Sequence, residues 1–438
     1  MASPALSATR SLAGRLSWGL ADQAVSSLTN FAVGIIVARS LGVADFGSFS
    51  LAWVTYGVAL NLSRGLATDP LVVRFSGVPI TAWRRAVASS SGTALAVGCA
   101  TGAVCVLAGL VAGGSVGTAF VALGLVMPAL LLQDSWRYAF FAGTQGRRAF
   151  TNDVVWAVVL VPALALAALT GSVFGFVLAW GLSAAAAAAF GWVQTRVRPD
   201  LGAVRLWART HRDLGARYMI ENVSMSGAAQ IRMYGLGAVA GLASVGTVRG
   251  GELLVGPFLA VLMGLSMVAV PEAARLLRQA PHRLPAFCLL LGGGQALAAA
   301  AWGAALLLLL PDAVGRYVLG PVWVTASALI IPATLSVMNA SLSTGAAAGL
   351  RALGASRRSL RAQLIAAVLY ATGGITGAVM AGALGSSWGV AAATLVAAAV
   401  WWRELRSGLR DQVTAVPRGR HRRQRVTLSA PNSPSTGR

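Results

Sequence analysis

Apolar stretches of roughly membrane-spanning length recur twelve times along this chain, at 18–38, 46–66, 86–112, 116–136, 152–171, 173–195, 218–242, 251–271, 285–310, 321–345, 361–383 and 386–402. A helix needs about 20 apolar residues to cross the hydrocarbon core. Lipid offers no partner for an open backbone, so such runs fold as helices that satisfy their own N–H and C=O groups. Composition agrees. Of 438 residues, 56% are hydrophobic and only 11% are charged, against about 25% charged in a soluble domain. These values exclude a cytosolic globular enzyme and a disordered chain. The expected fold is all-α and integral to the membrane, with about 12 transmembrane helices.

All 35 cationic side chains are arginine; 13 acids leave a net charge of +22. That much basicity would also suit a nucleic-acid binder, but the arginines follow topology instead. With the N-terminus inside, 31 of the 35 fall on cytoplasmic segments, from Arg10 and Arg15 to the cluster after Arg403. Only Arg39, Arg249 and Arg316 fall on the other face, and Arg232 lies inside a span. An excess of arginine on inner loops orients membrane proteins. The expectation is therefore a multi-pass protein of a bacterial cytoplasmic membrane, with both termini cytoplasmic and no nucleic-acid partner. Abundant Ala, Gly and Arg with no Lys suggests a GC-rich genome. Arg10 and Arg15 before the first run imitate a secretion leader, but Asp22, Gln23 and Asn30 interrupt that run and no cleavage site follows. It reads as the first span.

Residues 196–217 form an Arg-rich cytoplasmic linker, in which Leu201, Val204 and Trp207 recur as the apolar face of an amphipathic helix lying on the inner leaflet. The linker separates an N-terminal six-helix lobe, 1–195, from a C-terminal one, 218–402. The tail, 403–438, reads as disordered and drawn to anionic lipid of the inner leaflet. The lobes repeat at an offset of 199: Asp22-Gln23 falls on Glu221-Asn222, Ser27 on Ser226, and Gly42, Ala44 and Gly47 on Gly241, Ala243 and Gly246. Parallel repeats of this kind place a pseudo-two-fold axis along the membrane normal.

Ionisable groups inside spans are costly and usually face a partner or a wet cavity. Asp22, Ser26 and Asn30 form one stripe on the first span, and Glu221, Ser224, Ala228 and Arg232 share a face of the seventh. Two roles fit Arg232: a cavity cation whose planar fork suits phosphate, or a structural ion pair. Asp22 and Glu221 fit a coupling-ion role, for Na+ or H+, or plain stabilisation at helix N-termini. Arg64, Arg39 and Arg249 are weaker cavity candidates, because helix ends let them snorkel. Asn339 and Gln295 fit hydrogen bonding to sugar hydroxyls or bridging between helices. Asp134 and Arg137, and Arg249 and Glu252, are spaced to pair on one helix face. Cys99, Cys105 and Cys288 read as small buried apolar residues; no metal-ligand spacing is present. The histidines sit in Arg-rich loops. The Gly292-Gly293-Gly294 and Gly373-Gly374 runs lie within helices and suit close packing, and no nucleotide-binding motif occurs.

The stretches Leu20 to Phe31 and Ala38 to Gly47, with Gly256-Pro257 and Val270-Pro271-Glu272, resemble the polysaccharide-type (Wzx-like) flippases of the multidrug/oligosaccharidyl-lipid/polysaccharide (MOP) exporter superfamily. The resemblance implies a V-shaped, MATE-like bundle of two six-helix lobes around a cation-lined cavity. It also implies alternating access and a lipid-pyrophosphate-linked glycan as cargo. Some members carry further spans that this chain lacks, which sets it apart from the peptidoglycan-precursor branch. The expected function is flipping of a lipid-linked oligosaccharide or polysaccharide precursor, coupled to an ion gradient and without a bound cofactor. Drug or metabolite efflux on the same scaffold is the alternative. An integral glycosyltransferase or polymerase would need larger extramembrane loops.

Overall fold

The structure is a computed structural model that describes residues 25–415, with the backbone alone for 216–225, 260–268 and 412–415. Asp22 and residues 416–438 lie outside the described residues, and of Glu221 only the main chain, within a helix, is described; of the tail expected to be disordered, residues 403–415 instead continue a helix that ends at Ala415. Among the described residues there is no strand, and nine helices are long and apolar enough to cross a membrane. The protein is an all-α, multi-pass membrane protein.

Helix α1 spans Val25–Ser40 and α2 Val43–Ser63. A π-helical turn, Arg64–Thr68, joins α2 to α3, Asp69–Phe75. Then follow α4 (Ile80–Ala112), α5 (Gly114–Ala142), α6 (Gly146–Thr170) and α7 (Val173–Thr195). The short α8, Val204–Thr210, leads into α9, Arg212–Gln279. The remainder is α10 (Leu284–Leu308), α11 (Asp312–Leu319), α12 (Trp323–Ala326), α13 (Ile330–Ala352) and α14 (Ser356–Ala415).

Two of the long helices are broken. In α9 the break is Gly241, with φ 79°. In α14 it is Ala381-Gly382, where Gly382 has φ 57°, a region that glycine occupies without a Cβ penalty. The two arms of α14 fold back on each other through glycine. A Cβ on Gly377 would strike the Gly385 carbonyl, and one on Gly389 would strike that of Gly373. Small residues of this kind let helix backbones touch. Gly292 packs in the same way against the Leu342 main chain of α13, whereas Gly293 and Gly294 face open space.

The seam between the halves carries the repeat. A Cβ on Gly47 of α2 would collide with the Leu242 carbonyl of α9, and one on Gly246 with the Val43 carbonyl of α2. The offset of 199 turns Gly47 into Gly246 and Val43 into Leu242, so this contact maps onto itself. A second pair does the same. A Cβ on Gly57 would lie 3.1 Å from Gln230 Nε2, and one on Gly256 would lie 3.4 Å from the Phe31 ring. A contact that returns itself when its partners are exchanged is isologous, the signature of a two-fold relation. Along α2 and α9 the seam is also tied by Thr55 Oγ1 to Tyr234 OH at 2.6 Å and by Asn61 Nδ2 donating to Ser226 Oγ at 2.6 Å.

The linker departs from the expected membrane-surface helix. Trp207 is buried, stacks on Phe75 with 5.8 Å between ring centroids, and donates its Nε1 hydrogen to the Leu66 carbonyl at 3.1 Å. Leu66 lies in the π-turn that precedes Pro70, a residue with no N–H to give, and the indole donates to this irregular stretch of main chain. Leu201 and Leu206 remain exposed. Cys99 also differs from expectation: it is exposed, whereas Cys105 and Cys288 are buried.

Candidate functional site

The N-terminal half holds a buried network of charges. Arg64, the first residue of the π-turn, donates from Nε and Nη2 to the two carboxylate oxygens of Asp134, at 3.1 and 2.7 Å. Its guanidinium lies 5.1 Å from the Tyr138 ring centroid. One turn along α5, Arg137 Nε sits 3.6 Å from Asp153 of α6 and over the Phe141 ring. Gln133 donates to Asn152 at 3.2 Å and to Asp153 at 3.0 Å, and Asn152 donates to the Ala187 carbonyl of α7 at 2.8 Å. Four elements are thus tied through polar side chains. Asp134 is paired with Arg64, not with Arg137 as its spacing predicted. Only 6% of the Asp134 side chain is exposed but 26% of Arg64, so the arginine is the more exposed member of the pair. A π-turn inside a helix commonly marks a functional position, and here it aims Arg64.

The C-terminal half has its own cluster. Arg232 of α9 is buried and donates to Ser386 Oγ at 3.2 Å, Tyr370 OH at 3.0 Å and Glu252 Oε1 at 3.3 Å. Gly374 gives it room, since a Cβ there would come within 2.8 Å of its methylenes. Gln230 and Tyr234, two residues to either side, face the N-terminal half; Arg232 therefore points into the C-terminal half. Of the two roles that its place in a span leaves open, cavity cation or ion pair, this geometry displays the ion pair. Glu252 also takes Arg249 at 3.1 Å, and the Arg249 guanidinium lies 5.8 Å from the Trp53 ring of α2. Trp53 stacks on Trp180 at 4.7 Å, and Tyr56 meets the same indole edge-on at 4.9 Å. Aromatic faces and guanidinium groups thus meet at the seam.

The other candidates are dispersed. Ser26 is half-buried and Asn30 exposed on α1. Asn339 bridges α13 to α14, donating to the Ala391 carbonyl at 3.0 Å. Gln295 is buried with neither amide atom partnered among the described residues. The spacing of residues in sequence does not reveal the Arg64–Asp134 pair, the Asp153 partner of Arg137 or the aromatic cluster. The available signal is that Asp134 and Asp153 lie within or beside apolar runs and so need cations.

His211, in an Arg-rich loop by sequence, is buried at the end of α8. Arg74 Nη1 donates to its Nδ1 at 2.7 Å, and Arg74 Nη2 pairs with Asp213 at 2.7 Å. Guanidinium has no acceptor, so Nδ1 must carry a lone pair. Burial first, and the Arg74 charge second, push the imidazole pKa below its ordinary value. The docked linker therefore binds fewer protons than the undocked one. Its stabilisation is complete above about pH 6.5, the ordinary imidazole value, and is lost as the pH falls from there toward the depressed one. Limited proteolysis of residues 196–211 should accelerate over that window, and His211→Gln should flatten the profile. Identical profiles for the two proteins would remove His211 from the clamp.

No protein-family model matches the sequence, and no curated protein matches it. Solved structures do. The chain resembles a multidrug resistance MATE family transporter of the MOP superfamily in an inward-facing conformation (TM-score 0.65, 16% identity, 89% of this chain and 96% of that one). It also resembles the lipid II flippase MurJ in an inward closed conformation, with TM-score 0.67, 8% identity and 91% of each chain covered. A third is a MOP superfamily transporter from Pyrococcus furiosus, whose binding pocket is described as of reverse polarity (TM-score 0.52, 16% identity, 90% and 95% covered). At these identities the likeness is one of fold. The fold is the one that these solved structures share.

Proposed function

We propose that this protein flips a lipid-linked oligosaccharide or polysaccharide precursor from the inner to the outer leaflet of a bacterial cytoplasmic membrane. Two six-helix lobes, 1–195 and 218–402, rock about their glycine seam in alternating access. The observation that carries the reading is the partly exposed side chain of Arg64 beside a seam that also presents Trp53, Tyr56 and Arg249. Planar guanidinium groups recognise phosphate by paired hydrogen bonds, and aromatic faces suit the apolar face of a sugar ring. Cargo phosphate docks on Arg64 and passes Arg249. Arg232 holds Glu252 from behind. Asp22 and Glu221 take up Na+ or H+ to drive the return.

Efflux of an anionic metabolite is the second reading, favoured by the fold likeness to a multidrug transporter. A cationic drug would find too many arginines. Depletion of the protein in cells should leave lipid-linked glycan on the inner leaflet while drug susceptibility stays unchanged. Outer-leaflet accumulation, or drug hypersensitivity with no stranded glycan, would sink the flippase reading.

A further inference from the structure

Away from the seam, a groove of about 450 Å³ opens where the start of α10 meets the end of α14. Pro285, Ala286 and Leu289 form one wall, Leu405 and Leu409 the other, with Arg406 beside them. Trp402 completes the α14 stripe at i, i+3, i+4 and i+7 and is anchored by its Nε1 hydrogen on the Leu342 carbonyl at 3.1 Å. The trough is apolar except at Arg406. Ala286 and Leu289 are exposed, so it is open to whatever surrounds the helices.

The charges at this end are unbalanced. Glu404 is taken by Arg358 at 3.2 Å and Arg361 at 3.8 Å, and Asp411 by Arg358. Arg406 is exposed and has no acidic partner among the described residues. Arg278 and Arg283 precede α10, and Arg403 lies one turn before Arg406. The positive N-terminal end of α10, a helix of 25 residues, faces the same region. Arginine-rich ends lie at the cytoplasmic leaflet, where anionic headgroups gather.

We infer that this groove binds one anionic phospholipid of the cytoplasmic leaflet, with its phosphate on Arg406 and an acyl chain along Ala286, Leu289 and Leu409. The apolar trough and the uncompensated guanidinium match the two ends of such a lipid. The chain's own tail is the wrong occupant, because Arg418, Arg420, Arg422 and Arg423 would bring like charge to the site. The assignment does not depend on the cargo proposed above.

The test uses the full chain in phosphatidylcholine vesicles doped with brominated phosphatidylglycerol or brominated phosphatidylcholine. The readout is the quenching that disappears in Trp402→Phe. Phosphatidylglycerol should quench at lower mole fraction than phosphatidylcholine. Arg406→Gln should cut that preference about fivefold, the ~1 kcal/mol that one arginine contributes near an anionic surface. Ala286→Phe, which fills the trough at an exposed position, should reduce quenching by both lipids. Equal quenching by the two lipids in the unaltered protein overturns the assignment. So does a preference that survives Arg406→Gln but vanishes when residues 416–438 are removed.

Discussion

Valine at Gly47 should cost the protein most of its folded population, and valine at Gly246 should do the same to a similar degree. Each Cβ would meet a carbonyl oxygen of the opposite helix, Leu242 in one case and Val43 in the other. Overpacking a tight interior costs about 1–3 kcal/mol and occasionally more. The obstacle here is main chain that cannot rotate away, which places these substitutions at about 3 kcal/mol or above. Alanine at either position should be milder, lowering the thermal midpoint in detergent. Alanine also separates α2 from α9, so a cysteine at Thr55, now bonded to Tyr234, should react faster with an added thiol reagent. Because the two glycines share one contact, the double substitution should cost less than the sum of the singles. Gly293→Ala is the control: nothing lies within 4 Å of a Cβ there, and alanine favours a helix over glycine by about 1 kcal/mol. If Gly47→Ala behaved like Gly293→Ala, the glycine seam would not be where the halves meet.

The seam is legible in the sequence because Gly-x-Ala-x-x-Gly recurs at one offset, and an internal two-fold writes its contacts into the chain twice. The spans are legible for another reason. The bilayer imposes the same local demand on every crossing helix, so hydropathy along the chain reports it directly. What stays hidden depends on partners far away in sequence. Helical spacing matches Asp134 to Arg137, but its cation is Arg64, 70 residues earlier and aimed by a π-turn that no periodicity announces. Trp207 carries the apolar stripe of a membrane-surface helix. It turns inward onto Phe75 and the Leu66 carbonyl, partners written on a different segment. Arg232 stands out in the sequence as an ionisable group within a span; its direction depends on Tyr370 and Ser386 of α14.

Separating structure from transport at Arg64 calls for a pair of variants. Asp134→Ala should be the most damaging single change in the N-terminal half, because it leaves a guanidinium largely enclosed with its carboxylate gone. Breaking a buried pair from one side costs about 3–5 kcal/mol, whereas replacing both partners with apolar residues of similar bulk is often neutral. Arg64→Leu combined with Asp134→Leu should therefore recover most of the stability that Asp134→Ala loses, read as the thermal midpoint in detergent. Transport should not recover with it. If Arg64 is the phosphate contact, the double variant is a stable protein that strands lipid-linked glycan on the inner leaflet. A single Arg64→Lys keeps the charge but gives up the two-pronged geometry, and should flip slowly at near-normal stability. Were the leucine pair both stable and fully active, the Arg64–Asp134 pair would be scaffold alone, and the cargo's phosphate would have to be sought on Arg249 across the seam.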